Sequence, residues 1–209
     1  MLNRELNFRT QGTRYIENAK TLLLSSNKFL RNLIRSKIDI PLCTGRLFWE
    51  RKFQTDVLGR YTATLLSTKE IKLRELNFKI YHNIFSTNIM LQKMKIKESN
   101  KCDFCGNVDF IEHALITCER LNSYWHNVIE WIKREIDVCI PHDNIIFKLF
   151  GMVKGDVGRC SQWRLEKANH VLIIAKFVVM KSRYIQGISL EKLFENEIEK
   201  RLKYLIFEV

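Results

Sequence analysis

Along most of this chain apolar residues return every three or four positions, the spacing of one face of an α-helix. In "STKEIKLRELNFKIYHNIF" the stripe is Leu73, Leu76, Ile80 and Ile84, with Ser67 or Thr68 as the predicted cap and Lys72 and Lys79 sharing another face. In "ERLNSYWHNVIEWIKREI" it is Leu121, Tyr124, Trp125, Val128, Ile129 and Ile132. Trp125 and Trp131 therefore read as core and core-edge residues, with stacking on bases as the alternative. Leu165, Ala168, Leu172, Ala175 and Val179 repeat in heptad-like steps, and Leu190, Phe194, Ile198 and Leu202 recur every four residues after a break at 186–189. The run "VLIIAKFVVM" carries Lys176 inside it and falls well short of the roughly 20 residues that span a bilayer, so it reads as a core helix and no membrane partner is expected. In "LQKMKIKESNK" the period changes. Lys93, Lys95 and Lys97 alternate with Met94 and Ile96, which predicts an extended segment with its lysines on one side, and Lys101 abuts Cys102.

Composition agrees with helices. Of the 209 residues 46% are hydrophobic and 11% aromatic, enough for a packed protein, and 2 prolines and 8 glycines leave few breakers. The expected fold is all-α, an irregular helical domain with an inserted knuckle of CCHC type. Charge then separates the two halves. Residues 1–101 hold 20 Lys and Arg against 8 Asp and Glu, whereas 102–209 hold 15 against 15, so the whole excess of +12 precedes the clustered cysteines. Such an arrangement suits a polyanion, because each neutralised phosphate releases a counterion; a solvated basic surface is the plain alternative. No start of the chain joins basic residues, an apolar core and a cleavage site, so the protein reads as intracellular.

Under reducing conditions six cysteines are thiols or metal ligands rather than disulfides. Cys43, Cys139 and Cys160 are scattered and read as ordinary residues. Cys102, Cys105, His113 and Cys118 instead form C-x2-C-x7-H-x4-C, with Gly106 following the first pair and relieving the turn. Three thiolates and an imidazole make a closed tetrahedral set for one Zn²⁺, with no open position for an activated water, so the ion is structural. On a regular helix Cys118 overshoots the face of His113, so the helix must end or loosen near Thr117 for both to reach one ion. His126 is a remote substitute ligand, its spacing from Cys118 being unusual.

A lysine-rich stretch leading straight into a knuckle is how a phosphate-tracking surface would be built. The whole segment "ELNFKIYHNIFSTNIMLQKMKIKESNKCDFCGNVDFIEHALITCERLNSYWHNVIEWI" resembles the zinc-binding segment that follows the polymerase domain in reverse transcriptases of LINE-type non-LTR retrotransposons. The shared features are the helix with Lys79 and His82, the short connector at 86–88, the CCHC knuckle, and the helix with paired aromatics; the likeness is good over residues 69–136 and fair to about residue 184. It implies a non-catalytic module that helps hold element RNA or target DNA. The implied metal ligands are Cys102, Cys105, His113 and Cys118, the basic helix position is Lys79, and the remaining candidate contacts are Lys72, Lys93, Lys95, Lys97 and Lys101. The rest of a retroelement polyprotein is the further partner implied, no small-molecule substrate is expected, and the site of action is the nucleus or a cytoplasmic ribonucleoprotein.

The resemblance does not extend to polymerase chemistry. The chain has no Asp-Asp dipeptide and no room for a polymerase before the knuckle, so it looks like the tail of a longer element. A nuclease linked to such knuckles would need an Asp followed by D/E-x-K; Asp143 has no such partner downstream. His82, His126, His142 and His170 accompany no nucleophile. The helical stripes at the C-terminal end support a different class, a protein-interaction module derived from a retroelement fragment, with zinc purely structural. Three parts are expected: a basic helical arm, residues 1–68; a CCHC unit, residues 69–136; and a neutral helical region, residues 137–209.

Overall fold

The computed structural model describes residues 44–205 except 159 and 186, with the side chains of 202–205 also outside the description. The described residues belong to one compact unit of the chain. Most of the predicted arm, with Phe29, Leu30, Leu33, Ile34 and Cys43, lies outside them. Among the described residues eight α-helices follow in order: α1 (Thr44–Phe53), α2 (Leu58–Leu66), α3 (Ile71–Tyr81), α4 (Asn88–Lys93), α5 (Asn122–Ile136), α6 (Ile145–Phe150), α7 (Gln162–Ser182) and α8 (Leu190–Leu205). A π-helical turn, His113–Thr117, and a 3₁₀ turn, Glu119–Leu121, separate α4 from α5. Among the described residues no β-strand forms. One isolated antiparallel bridge joins Lys101 to Val108.

Helix α7 is the axis of the fold. Helices α2, α3, α5, α6 and α8 and the π turn all pack on it, so it is apolar nearly all round, from Leu165 through Val171, Leu172, Ile174 and Ala175 to Val179. The residues read as its heptad stripe are buried, but so are most of those between them. Helix α5 and the 3₁₀ turn before it bury the predicted stripe Leu121 to Ile132 in full, and Tyr124 donates from its hydroxyl to the Ala175 carbonyl at 2.9 Å. Trp131 sits half-buried at the core edge, with Phe194 of α8 edge-on to its ring. Of the second stripe Phe194 and Ile198 are buried and Leu190 half-buried, while Leu202 lies outside the described side chains; Leu193, which the four-residue recurrence passed over, is buried beside them. Gly45 lets α1 approach the end of α3, since a Cβ there would lie 2.4 Å from the His82 backbone. Trp49 donates its indole N–H to the Ile80 carbonyl across the same contact.

Three sequence expectations change. Helix α3 starts two or three residues late and is capped by neither Ser67 nor Thr68. The Thr68 hydroxyl instead accepts from the Glu70 amide, forming a small turn that makes Glu70 the extended N-cap residue. Ile84 falls beyond the end of α3 and is exposed, while Phe85 is buried in its place. The cause is a left-handed Asn83 (φ 56°), with Ile84 N–H donating to Lys79 O and Asn83 N–H to Ile80 O, which closes the helix. Lys93, Lys95 and Lys97 do not lie on an extended segment. Lys93 ends α4, Lys95 is left-handed at φ 59°, and the Ile96 and Lys95 amides bond back to Leu91 and Gln92. Alternation of Lys with apolar residues is also what a short helix and its C-terminal turn can show, and the Thr87 cap, accepting from the Met90 amide, decides between the two.

Candidate metal centre

Cys102 and Cys105 lie on a tight turn held by its own backbone. The Cys102 amide donates to Asn107 O at 2.6 Å, the Gly106 amide to Cys102 O at 3.0 Å, and the Asp109 amide to Asn100 O at 2.9 Å. Gly106 adopts φ 74°, and a Cβ there would meet nothing within 4 Å. Its role is conformational freedom alone.

His113 and Cys118 are brought together by the π turn. The Cys118 amide bonds to the His113 carbonyl at 3.1 Å, the five-residue spacing of a π turn, and Cys118 itself is extended. A π turn holds more residues per revolution than an α turn, so five residues no longer overshoot the starting face. Because the helical turn stops at the extended Cys118, the Leu115 carbonyl is among the end carbonyls left without an intrahelical donor, and the Trp125 indole N–H supplies one at 2.9 Å. Trp125 is thus a core residue that also pins the ligand-bearing turn to α5 through its polar edge.

The four ligand atoms lie within 4.8 Å of one another. Cys102 Sγ is 4.0 Å from Cys118 Sγ, Cys118 Sγ is 3.8 Å from Cys105 Sγ, and Cys105 Sγ is 3.2 Å from His113 Nε2. These sulfur separations are far beyond a disulfide's roughly 2.05 Å. All three are free thiols. Cys102, His113 and Cys118 are buried and Cys105 half-buried, so the set faces inward with one edge toward water. Burial pushes the Cys118 thiol up to about 11, while the backbone amide of Asn107 draws Cys105 below the usual thiol value. Without a cation the buried thiol is costly to ionise; a bound metal ion reverses that. Among the described residues this is the one His, Cys, Asp and Glu cluster compact enough to hold a metal ion. His126 stacks on His142 at 4.6 Å instead, away from the cluster.

Around the centre lies a layer of charge that periodicity did not reveal. Asp109 reads from sequence as a polar loop residue, yet it is fully buried. It accepts from the Asn88 amide at 2.7 Å and from both terminal nitrogens of Arg183, at 2.7 and 3.2 Å. Asn88 also donates to the Lys101 carbonyl at 2.6 Å, so α4, the residues flanking the cysteine turn and the end of α7 share one network. Glu112, buried beside His113, pairs with Lys52 of α1. Arg120 stacks its guanidinium 3.5 Å above the centre of the Phe104 ring and donates to Ser182 Oγ. The available signal was Asp and Glu inside the apolar run "VDFIEHALI", where acidic side chains need buried partners.

The lysines singled out in the sequence are not gathered into one place. Lys93, Lys95, Lys97 and Lys101 lie on the approach to Cys102, whereas Lys72 and Lys79 are on α3. Lys97 pairs with Asp103, and Lys79 with Glu75 one turn earlier. Lys72, Lys93, Lys95 and Lys101 are exposed and make no ion pair among the described residues. Cys139 is exposed and Cys160 half-buried, each apart from the cluster. No helix among the described residues is long and apolar enough to cross a membrane. Fold and site together define a helical domain with an inserted Cys3His cluster able to hold a metal ion. No protein-family model, curated protein or solved structure matches the chain.

Proposed function

We propose that this chain is a zinc-stabilised nucleic-acid-binding module, similar to the segment that follows the polymerase in LINE-type reverse transcriptases, and that it has no active site of its own. The observation that carries the metal half is the donor set. Sulfur separations of 3.8 and 4.0 Å sit near the ~3.8 Å edge of a tetrahedron with ~2.3 Å Zn–S bonds. Three sulfur ligands and one nitrogen ligand favour Zn²⁺ over harder ions and leave no position for a reacting water.

The nucleic-acid half is supported by charge and by exposed rings beside the centre. Lys93, Lys95 and Lys101 precede the first ligand without ion-pair partners among the described residues, and the Phe104 and Tyr184 side chains are exposed, with the Arg120 guanidinium lying over one face of the Phe104 ring. Aromatic faces beside cations suit single strands, whose bases stack while their phosphates pair. The test is to purify the chain, determine bound metal by elemental analysis, and titrate labelled RNA and duplex DNA at about 50 and 200 mM salt. One zinc per chain is expected, with affinity that falls steeply as salt rises and weakens in the Lys93/Lys95/Lys101 triple alanine variant. Zinc with no binding to either nucleic acid would overturn the nucleic-acid half and move the function to the protein-interaction class, whose apolar contacts are insensitive to salt.

A further inference from the structure

A cavity of about 590 Å³ opens at the opposite end of α7 from the metal centre, between the α2–α3 turn, the first turns of α7, and α8. It is of a size that holds small ligands. Its contents are unlike the surface around it. Trp163 is 51% exposed, whereas Trp49 and Trp125 are at most 1% exposed and Trp131 is half-buried. The Trp163 ring therefore offers a large aromatic face to the cavity, and at present Lys167 Nζ covers it from 3.8 Å above its centre.

His170 is the polar group of the floor. Its Nδ1 lies 2.8 Å from the Ser67 carbonyl. A carbonyl can only accept, so Nδ1 carries the hydrogen and Nε2 is left as an acceptor. Nε2 has no hydrogen-bond partner among the described residues. Burial lowers the pKa of His170, which keeps the ring neutral and in that accepting form. The other floor charges are already matched: both Glu70 oxygens receive Arg201, at 2.7 and 2.8 Å, and Arg201 also pairs with Glu197. Glu166 accepts from Gln162 at the rim. What remains for a ligand is an aromatic wall, a floor acceptor that asks for an N–H donor, and Lys167 able to swing from the ring toward an anion.

We infer that this cavity takes one unpaired nucleobase with its phosphate, the base lying against Trp163, an exocyclic amine donating to His170 Nε2, and the phosphate meeting Lys167. The source is either a free nucleotide or one residue of a single strand. For the second source the inference rests on the nucleic-acid reading above. The two sites are separate. His170 and Ser182, which the knuckle's Arg120 touches, are about 18 Å apart along α7 at 1.5 Å per residue.

The test uses the full chain as purified, with adenosine 5′-monophosphate, a single-stranded oligo-adenylate of eight residues, and a duplex of equal length as probes. Readouts are tryptophan emission and Kd, for the parent, Trp163→Ala and Lys167→Ala, with unchanged circular dichroism required of both variants. Quenching by the mononucleotide and the single strand, weaker for the duplex, is expected, with affinity reduced about 5- to 150-fold in Trp163→Ala, the range measured for single base stacks. Lys167→Ala should weaken the mononucleotide only when its phosphate is present, so adenosine serves as its control. Binding of the mononucleotide but of neither the single strand nor the duplex supports the cavity and assigns it to free nucleotides, while the nucleic-acid reading falls. Single-strand binding that Trp163→Ala leaves intact overturns the cavity inference and leaves that reading standing. Absence of binding to any probe overturns both.

Discussion

Lys176 shows most sharply how a residue's neighbours reset its chemistry. It is fully buried in α7, donates to the Leu149 carbonyl at 2.5 Å, and burial lowers its pKa to about 7. The unfolded chain binds this proton up to roughly pH 10.4, the folded chain only to about 7, so stability gains from Lys176 as pH rises between those values and is lowest at and below neutrality. Lys176→Met should therefore melt higher than the parent at pH 6, by about 1–3 kcal/mol after allowing for the orphaned carbonyl, and the difference should shrink by pH 9.5; melting both proteins across that range checks it. Asp109 gives the opposite case, a buried charge with its partners in place. Asp109→Asn leaves the Arg183 guanidinium without its carboxylate, and should cost about 3–5 kcal/mol in urea unfolding. Sequence marked Lys176 as a break in an apolar run. It gave no sign that Asp109 and Arg183, 74 positions apart, are a pair.

At the scale of elements the π turn is the feature to test. Trp125→Phe keeps most of the buried ring but removes the N–H that holds the Leu115 carbonyl, an expected loss of about 1–3 kcal/mol. Because that carbonyl lies between His113 and Cys118, the variant should also release metal faster to a chelator, an outcome that simple loss of packing elsewhere in α5 would not produce. Gly106→Ala isolates backbone strain. Nothing stands near the new Cβ, so the roughly 1–2 kcal/mol cost of a left-handed non-glycine residue is the whole expected effect, read as a lowered melting temperature with metal content unchanged. The need for a loosened helix at Thr117 was legible in the H-x4-C spacing. That the loosening would be a π turn, secured by a tryptophan read as plain core, was not, because hydrophobic period says where a side chain lies and not which carbonyl its N–H will find.

For the whole molecule, a metal ion held by the Cys3His cluster would couple to folding through the cluster's surroundings. The cysteine turn is held by a few backbone bonds of its own, and its clamps are the Asp109–Arg183 and Glu112–Lys52 pairs, to the end of α7 and to α1. Zinc binding in small modules is worth on the order of 10 kcal/mol apparent at neutral pH. Chelation, or Cys102→Ser, should accordingly lower the melting temperature of the domain as a whole and not merely loosen residues 100–118; hydrogen exchange at α5 and the end of α7 is the measurement. Protection there that survives metal loss would show that the helical core stands without the ion.

The sequence by itself determined the helical class, the buried face of α5 and the four residues that cluster, since these depend on periodicity and on ligand spacing within short stretches. The tertiary structure alone decided the helix ends around Asn83 and Lys95, the inward turn of Asp109 and Glu112, and the cavity shared by Trp163 and His170. The inward carboxylates and the cavity rest on an amide, carbonyl or charge contributed by a segment remote in the chain, whereas the two helix ends rest on backbone bonds three to five residues back that hydrophobic period does not encode. Hydrogen bonds and ion pairs are specific to the groups that meet, and only the packed molecule says which groups those are.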